Sequence, residues 1–140
     1  MNLLIIDDDA ICNFVNTRVA VACGIFKDIR SVNTGMEAME IFEQISQGNA
    51  TAPDLILLDL NMPVVNGFDL IQTLRSLKFP NEKKPAIVIL TSSDDSVDIA
   101  RARALGIEDY LLKSNSVKNL QAAIFSLYNK ILAGTSAATN

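Results

Sequence analysis

The sequence contains no histidine, and that absence removes several chemistries at once. Ser-His-Asp and Cys-His nucleophilic catalysis, histidine metal sites and a histidine phosphocarrier role are all closed to this chain. Cysteine is scarce, with only Cys12 and Cys23 present. Both fall in one segment of helical period, where their separation corresponds to a rise of about 16 Å, far beyond the ~7 Å limit between Cα atoms for a disulfide. Two buried free thiols are expected. Positive charge is in deficit: 12 Lys and Arg against 16 Asp and Glu give a net charge of −4. Composition therefore offers no broad cationic surface for nucleic acid or anionic lipid. No apolar run approaches the ~20 residues of a membrane span, and Met1-Asn2 leads straight into Leu3 without a basic, cleavable leader. The expected location is cytoplasmic. There is no internal repeat, low-complexity block or linker to a second domain, and 140 residues at 49% hydrophobic suit one domain with a substantial core.

What the chain does have is a regular alternation of short apolar runs and longer stretches of helical period. The runs are Leu3 to Ile6, a weaker one at Ile29 to Val32, Leu55 to Leu58, Ala86 to Leu90, and Tyr110 to Leu112. Unbroken aliphatic runs of this length suit strands covered on both faces. Between them, Ile11, Phe14, Val15, Val19 and Ala22 mark a first helix closed by Gly24, and Met36, Met39, Ile41, Phe42 and Ile45 a second. The spacing predicts a third helix over Gly67 to Leu77, closed by Pro80, with Phe68, Ile71 and Leu74 inward. A fourth is expected over Ser96 to Leu105, ended by Gly106. A fifth is expected over Ser116 to Leu132, with Leu120, Ala123, Ile124 and Leu127 inward. The tail from Ala133 to Asn140 is small and polar and is expected to fray. Five strands and five helices in alternation, joined by right-handed crossovers, give an α/β doubly wound parallel sheet in a three-layer sandwich. Such sheets bind ligands at the carboxyl ends of their strands.

The polar residues that follow the strands all fall on that edge. Asp7, Asp8 and Asp9 follow the first run, Asp59 the third, Thr91, Ser92 and Ser93 the fourth, and Lys113 the fifth. Singly, each has a bland explanation: Asp9 as a helix N-cap, Thr91 as a strand end, Lys113 as a solvated loop charge. Asp59 is harder to dismiss, because it interrupts Leu55-Ile56-Leu57-Leu58-Asp59-Leu60 and must be desolvated unless something compensates it. Carboxylates crowded into one cleft either rise in pKa or share a cation. With oxygen ligands alone, that cation should be hard, and Mg²⁺ fits few carboxylates and several waters. A metal, a lysine and a hydroxyl around one carboxylate are the equipment for phosphoryl transfer to Asp59.

These residues resemble a known family, the receiver domain of two-component response regulators. The resemblance rests on Asp7-Asp8 after the first strand, the stretch from Asp59 through Asn61, Met62 and Pro63 to Gly67, Thr91-Ser92, and Tyr110-Leu-Leu-Lys113. It runs from Leu3 to about Leu132, so that residues 1–132 are expected to form the receiver and 133–140 a disordered polar tail. It implies the flavodoxin-like strand order 2-1-3-4-5. It further implies a phosphoacceptor signalling protein, not an enzyme, in which Asp59 takes a phosphoryl group from a sensor histidine kinase or a histidine phosphotransfer protein. Asp8 and Asp59 would bind Mg²⁺ directly with the backbone carbonyl of Asn61, and Asp7 largely through water. Lys113 would pair with one phosphoryl oxygen and Thr91 would move to another, with Tyr110 turning into the space Thr91 leaves. The bland reading of Tyr110 is a strand aromatic packed at an edge. Met62-Pro63 and Gly67 are read as structural, with Gly67 permitting an unusual backbone conformation or a close approach. Asn61 and Ser93 would influence the lifetime of the acyl phosphate, and small Ser92 leaves a path to Asp59. The fourth helix, fifth strand and fifth helix would form the signalling face, beside which Arg101, Arg103 and Lys118 are read as solvated charges or partner contacts.

The family usually places proline after the lysine, often through a cis peptide, whereas Ser114 follows Lys113 here. A cis bond there would cost about 3 kcal/mol, yet Lys113 is still expected to reach the site. With no DNA-binding segment after Leu132, the expected output is contact with a protein target or onward phosphotransfer, and dimerisation on phosphorylation stays open. A Mg²⁺-dependent hydrolase with an Asp nucleophile is the first rival, disfavoured because no segment is long enough for a substrate cap. A flavodoxin-like cofactor binder is the second, and Asp7-Asp8-Asp9 would repel a cofactor phosphate. A degenerate receiver that binds partners without phosphate is the third, against which the full set of acids, Thr91 and Lys113 argues.

Overall fold

The computed structural model describes residues 1–79, 84–107, 109–113 and 116–139, with side chains for all of these except 116 and 134–139. The elements are β1 (Asn2–Ile6), α1 (Ala10–Cys23), β2 (Asp28–Val32), α2 (Gly35–Ser46), β3 (Leu55–Leu58), α3 (Gly67–Ser76), β4 (Ala86–Thr91), α4 (Ser96–Ala104), β5 (Asp109–Leu112) and α5 (Ser116–Thr139). The five strands form one parallel sheet in the order β2-β1-β3-β4-β5, the doubly wound, flavodoxin-like arrangement anticipated from the sequence. Pro80, expected to close α3, and the Lys113-Ser114 peptide lie outside the described residues.

Alternation along the strands divides the core in two. Leu4, Ile6, Ile56, Leu58 and Ile89 pack on one face with Phe42, Ile45, Phe68, Ile71 and Leu74. Leu3, Ile5, Leu55, Leu57, Val88 and Leu90 pack on the other with Val19, Ala20, Leu120, Ile124 and Leu127. Strands buried on both faces have no room for polar alternation, which is why the runs are continuously aliphatic. Local chemistry sets the helix ends. The Asp9 carboxylate accepts from the N–H groups of Ile11 and Cys12 at the start of α1, and Gly24 ends that helix in the left-handed conformation at φ 70°. Asn66 and Asp69 form a reciprocal capping box at α3.

The helix faces show where the sequence reading needs correction. In α1 the buried residues are Asn13, Asn16, Val19 and Ala20, while Ile11 and Phe14 are 75% and 62% exposed. The apolar stripe of α1 therefore mostly faces outward. In α2, Met36 is exposed and Ala38, Phe42 and Ile45 form the buried face. Cys12 and Cys23 are free, as expected, but only half-buried. Helix α5 continues to Thr139, past the Leu132 at which its end was expected. The extension runs through Ala133, Ala137 and Ala138, and alanine is the best intrinsic helix former. Among the described residues, no helix is long and apolar enough to cross a membrane.

Candidate functional site

Strand register builds the site. In the parallel pairing of β1 with β3, Ile6 stands opposite Leu58, so the next residues, Asp7 and Asp59, emerge side by side. The Asp59 N–H donates to the Ile6 carbonyl at 2.9 Å, and the Asp7 N–H to the Val32 carbonyl at 3.2 Å. Both carboxylates are therefore held at the sheet edge, with Asp7 2% and Asp59 4% exposed. Asp8, on the loop above, is exposed, yet one carboxylate oxygen from each of Asp7, Asp8 and Asp59 lies within 4.8 Å of the others.

Lys113 enters from the end of β5. Its Nζ lies 2.8 Å from Asp7 Oδ2 and 3.5 Å from Asp59 Oδ2. It thus bridges the two buried acids and makes its shorter contact with Asp7, a pairing the sequence did not reveal. Thr91, fully buried at the end of β4, lies across from Asn61: its Oγ1 accepts from Asn61 Nδ2 at 3.4 Å and from the Ser93 N–H at 3.4 Å. The Asn61 N–H in turn points at Asp59 Oδ1, 3.4 Å away.

Electrostatics follow from this packing. Burial pushes the Asp59 carboxyl above the ordinary carboxylate range, and the charge of Asp7 pushes it further. Lys113, the Asn61 N–H and the Thr91 hydroxyl pull it back without cancelling the rise. For Lys113, burial alone would lower the pKa, but the hydrogen bond to Asp7 and the charges of Asp59 and Asp7 outweigh it and raise it. These partners hold the lysine in its charged form. The donor set holds oxygens only, since no histidine exists and neither cysteine belongs to the acidic cluster. Three converging carboxylates of this kind fit a hard divalent cation.

The sequence model of the response regulator receiver domain family matches residues 3–125. The chain belongs to this family. A two-component response regulator from Cytophaga hutchinsonii is similar in structure, with a TM-score of 0.78 and 32% identity over 94% of this chain and 96% of that one. A probable chemotaxis protein CheY of Rhizobium etli is 29% identical across 94% of this chain and 95% of its own length. A probable transcriptional regulator ycf27 of Porphyridium aerugineum is 34% identical over 92% of this chain, which spans 48% of that relative. The chain thus spans about half the length of some curated relatives and nearly all of others.

Around the acidic cluster, the receiver domain links its β4–α4 loop to β5. The Tyr110 hydroxyl donates to the Ser93 carbonyl at 2.9 Å, and the Ser93 hydroxyl donates to Asp98 Oδ2 at 2.8 Å. The ring of Tyr110 packs half-buried against the core. Ser92 is exposed. Arg101 lies over the Phe68 ring at 4.2 Å, tying α4 to α3, while Arg103 and Lys118 are exposed. Asn13, Ser93 with Asp98, and the Asn66–Asp69 box were not singled out as contact partners from sequence. The signal for Asn13 was available in principle, since Asn13, Asn16, Val19, Ala20 and Cys23 recur at helical spacing.

The β3–α3 loop that carries the site away from Asp59 is tightly built. A Cβ on Gly67 would lie 2.5 Å from the Asp59 carbonyl oxygen and 2.8 Å from Leu60 Cα. Its φ is not in the left-handed region, so close approach explains this glycine. Gly67→Ala must push the backbone of Asp59 aside, and a urea titration is expected to show a loss of about 1–3 kcal/mol. Val64 is 92% exposed at φ 67°, and the Val65 N–H donates across it to the Pro63 carbonyl at 2.8 Å. This is a tight turn in a conformation that costs a β-branched residue about 1–3 kcal/mol. Val64→Gly relieves that strain at an unfolded-state cost of roughly 0.5–1 kcal/mol. The expected result is a higher melting temperature, checked by calorimetry.

Proposed function

We propose that this receiver domain accepts a phosphoryl group on Asp59 from a phosphohistidine of a sensor histidine kinase or a histidine phosphotransfer protein. The observation that carries the reading is the buried Asp59 carboxylate, flanked by Asp7, Asp8 and Lys113 at the open edge of the sheet. Its raised pKa reflects a group short of compensating charge. In the step itself, a carboxylate oxygen of Asp59 attacks phosphorus, a P–O bond forms, the P–N bond breaks, and the departing imidazole keeps the electron pair. These 140 residues hold no histidine, so the phosphohistidine lies outside them.

Asp7, Asp8 and Asp59, with the backbone carbonyl of Asn61, are the residues that would hold Mg²⁺. When bound, the cation supplies positive charge opposite the transferring group. Lys113 supplies a second positive charge, and its place between Asp7 and Asp59 puts it within reach of a phosphoryl group on Asp59. Thr91 is the hydroxyl available to a further phosphoryl oxygen. Drawing it toward Asp59 disturbs its contacts with Asn61 and with the Ser93 N–H, and the Ser93 carbonyl is where Tyr110 is anchored. That chain of contacts supports a Thr91–Tyr110 switch acting on the α4, β5 and α5 face, with a protein target or onward phosphotransfer as output.

Residues 1–132 form the receiver on this reading, the location is cytoplasmic, and no nucleic acid or membrane is engaged directly. A phosphorylation-dependent dimer is compatible with the same face. The test is incubation with Mg²⁺ and a small acyl phosphate, read by intact mass. One phosphoryl group per chain, stable in acid and labile in base, is expected, and no gain when a chelator is present from the start. Continuous release of phosphate from simple esters without a labelled protein would instead support a hydrolase.

A further inference from the structure

Helix α1 turns two asparagines toward the interior, and one of them lies directly beneath the acidic loop. Asn13 is 8% exposed. Its Nδ2 donates to the Asp7 carbonyl at 2.8 Å and, less closely, to the Val32 carbonyl at 3.4 Å. Its Oδ1 is buried and has no hydrogen-bond partner among the described residues. The amide orientation is unambiguous, because a flip would set Oδ1 against two carbonyl oxygens. An orphaned buried acceptor is costly, and that cost is set against the hydrogen bonds that Nδ2 donates.

What the side chain achieves is local. The Asp7 carbonyl is one end of the peptide that leads into Asp8. The Asp7 N–H is already tied to Val32, and Asp7 Oδ1 accepts from the Asp9 N–H at 2.9 Å. The Asp8 carboxylate has no hydrogen bond or ion pair among the described residues. Among the described residues, its backbone alone aims it. We infer that Asn13 is a positioning residue for the acidic cluster, gripping the Asp7-Asp8 peptide so that the exposed Asp8 carboxylate converges on those of Asp7 and Asp59. This rests on the reading of the cluster as the Mg²⁺ site, and it assigns the half-satisfied asparagine to metal affinity, as outer partners of metal ligands are commonly used.

The test is Asn13→Leu, which keeps the side-chain shape and removes donor and orphan acceptor together. Mg²⁺ affinity by isothermal titration calorimetry is expected to weaken about tenfold, while the metal-free melting temperature holds, the removed orphan acceptor offsetting the lost donor. Unchanged affinity in a folded variant overturns the inference, and so does a fall in melting temperature that accompanies the loss of affinity, since that marks a packing role. A second readout needs no variant. In ¹⁵N-labelled wild type, the Asn13 side-chain amide resonances are expected to be protected from solvent exchange and to shift as Mg²⁺ is added. Resonances that exchange freely or stay fixed through the titration contradict it. Wild type that binds no Mg²⁺ overturns the reading of the cluster along with this inference, whereas binding that Asn13→Leu does not weaken overturns the inference alone.

Discussion

The Asp59→Asn variant is expected to gain no phosphoryl group from a donor that labels the wild type, and to be more resistant to heat when divalent cations are absent. The two outcomes share one cause. Asp59 is 4% exposed, and burial and the charge of Asp7 raise its pKa. A carboxyl whose folded pKa lies above its unfolded value binds more protons in the folded state, so its contribution is full below the ordinary carboxylate pKa and is lost as pH rises through the folded value. At neutral pH the ionised Asp59 is therefore a burden on the metal-free fold. Asparagine removes the charge, keeps the size, and leaves Lys113 its closer partner Asp7 at 2.8 Å. A gain of about 1–2 kcal/mol, or several degrees in melting temperature, is expected at neutral pH. The gain should shrink as the pH is lowered toward the carboxylate range, and a melting series across pH checks it. A variant less stable than wild type at neutral pH without metal would show that Asp59 is well compensated in the fold.

Removing Lys113 should have the opposite effect on stability. Lys113→Met preserves much of the apolar stem but leaves Asp7 and Asp59, both buried, without the cation that bridges them. Taking one partner from a buried ion pair costs about 3 kcal/mol, which for a chain of this size is on the order of 10 °C in melting temperature. Two conditions should restore part of the loss. Mildly acidic pH protonates the abandoned Asp59 carboxylate, whose pKa, already raised by burial, rises further once the lysine is gone. Millimolar Mg²⁺ supplies a replacement charge. Combining Lys113→Met with Asp59→Asn should recover stability beyond the sum of the separate changes, because the two sites touch. Additive losses in that double variant, or a single variant that melts with wild type at every pH, would show that the bridge contributes nothing.

The legibility of this protein in its sequence follows from which interactions are local. Strands β1, β3 and β4 could be read because burial on both faces leaves only aliphatic residues. The site could be read because a parallel sheet sends the residues after every strand to one edge. Asp9 at the start of α1 and Gly24 at its end are encoded within a few residues and were equally visible. The buried face of α1 was not, since Ile11 and Phe14 form an apolar pattern that faces outward while Asn13 and Asn16 are buried. Periodicity assumes that apolar means inside, and the rule fails where a polar side chain is needed to hold strand-end carbonyls. The contacts of Lys113 with Asp7, Thr91 with Asn61, and Tyr110 with Ser93 depend on rotamers and on loops brought together across the sheet. No spacing in the chain encodes them. Gly67 was recognised, but only the fold decides between left-handed backbone and close approach, and here it is close approach to the Asp59 carbonyl.

The central claim concerns one atom group, the carboxylate of Asp59, and chemical trapping addresses it most directly. Protein labelled with a small acyl phosphate and Mg²⁺ is treated with borohydride, which reduces an acyl phosphate to an alcohol, and the chain is then digested and mapped by mass. Reduction confined to residue 59 is the predicted result. Reduction at Asp7 or Asp8, or a labelled chain with residue 59 intact, would contradict the account.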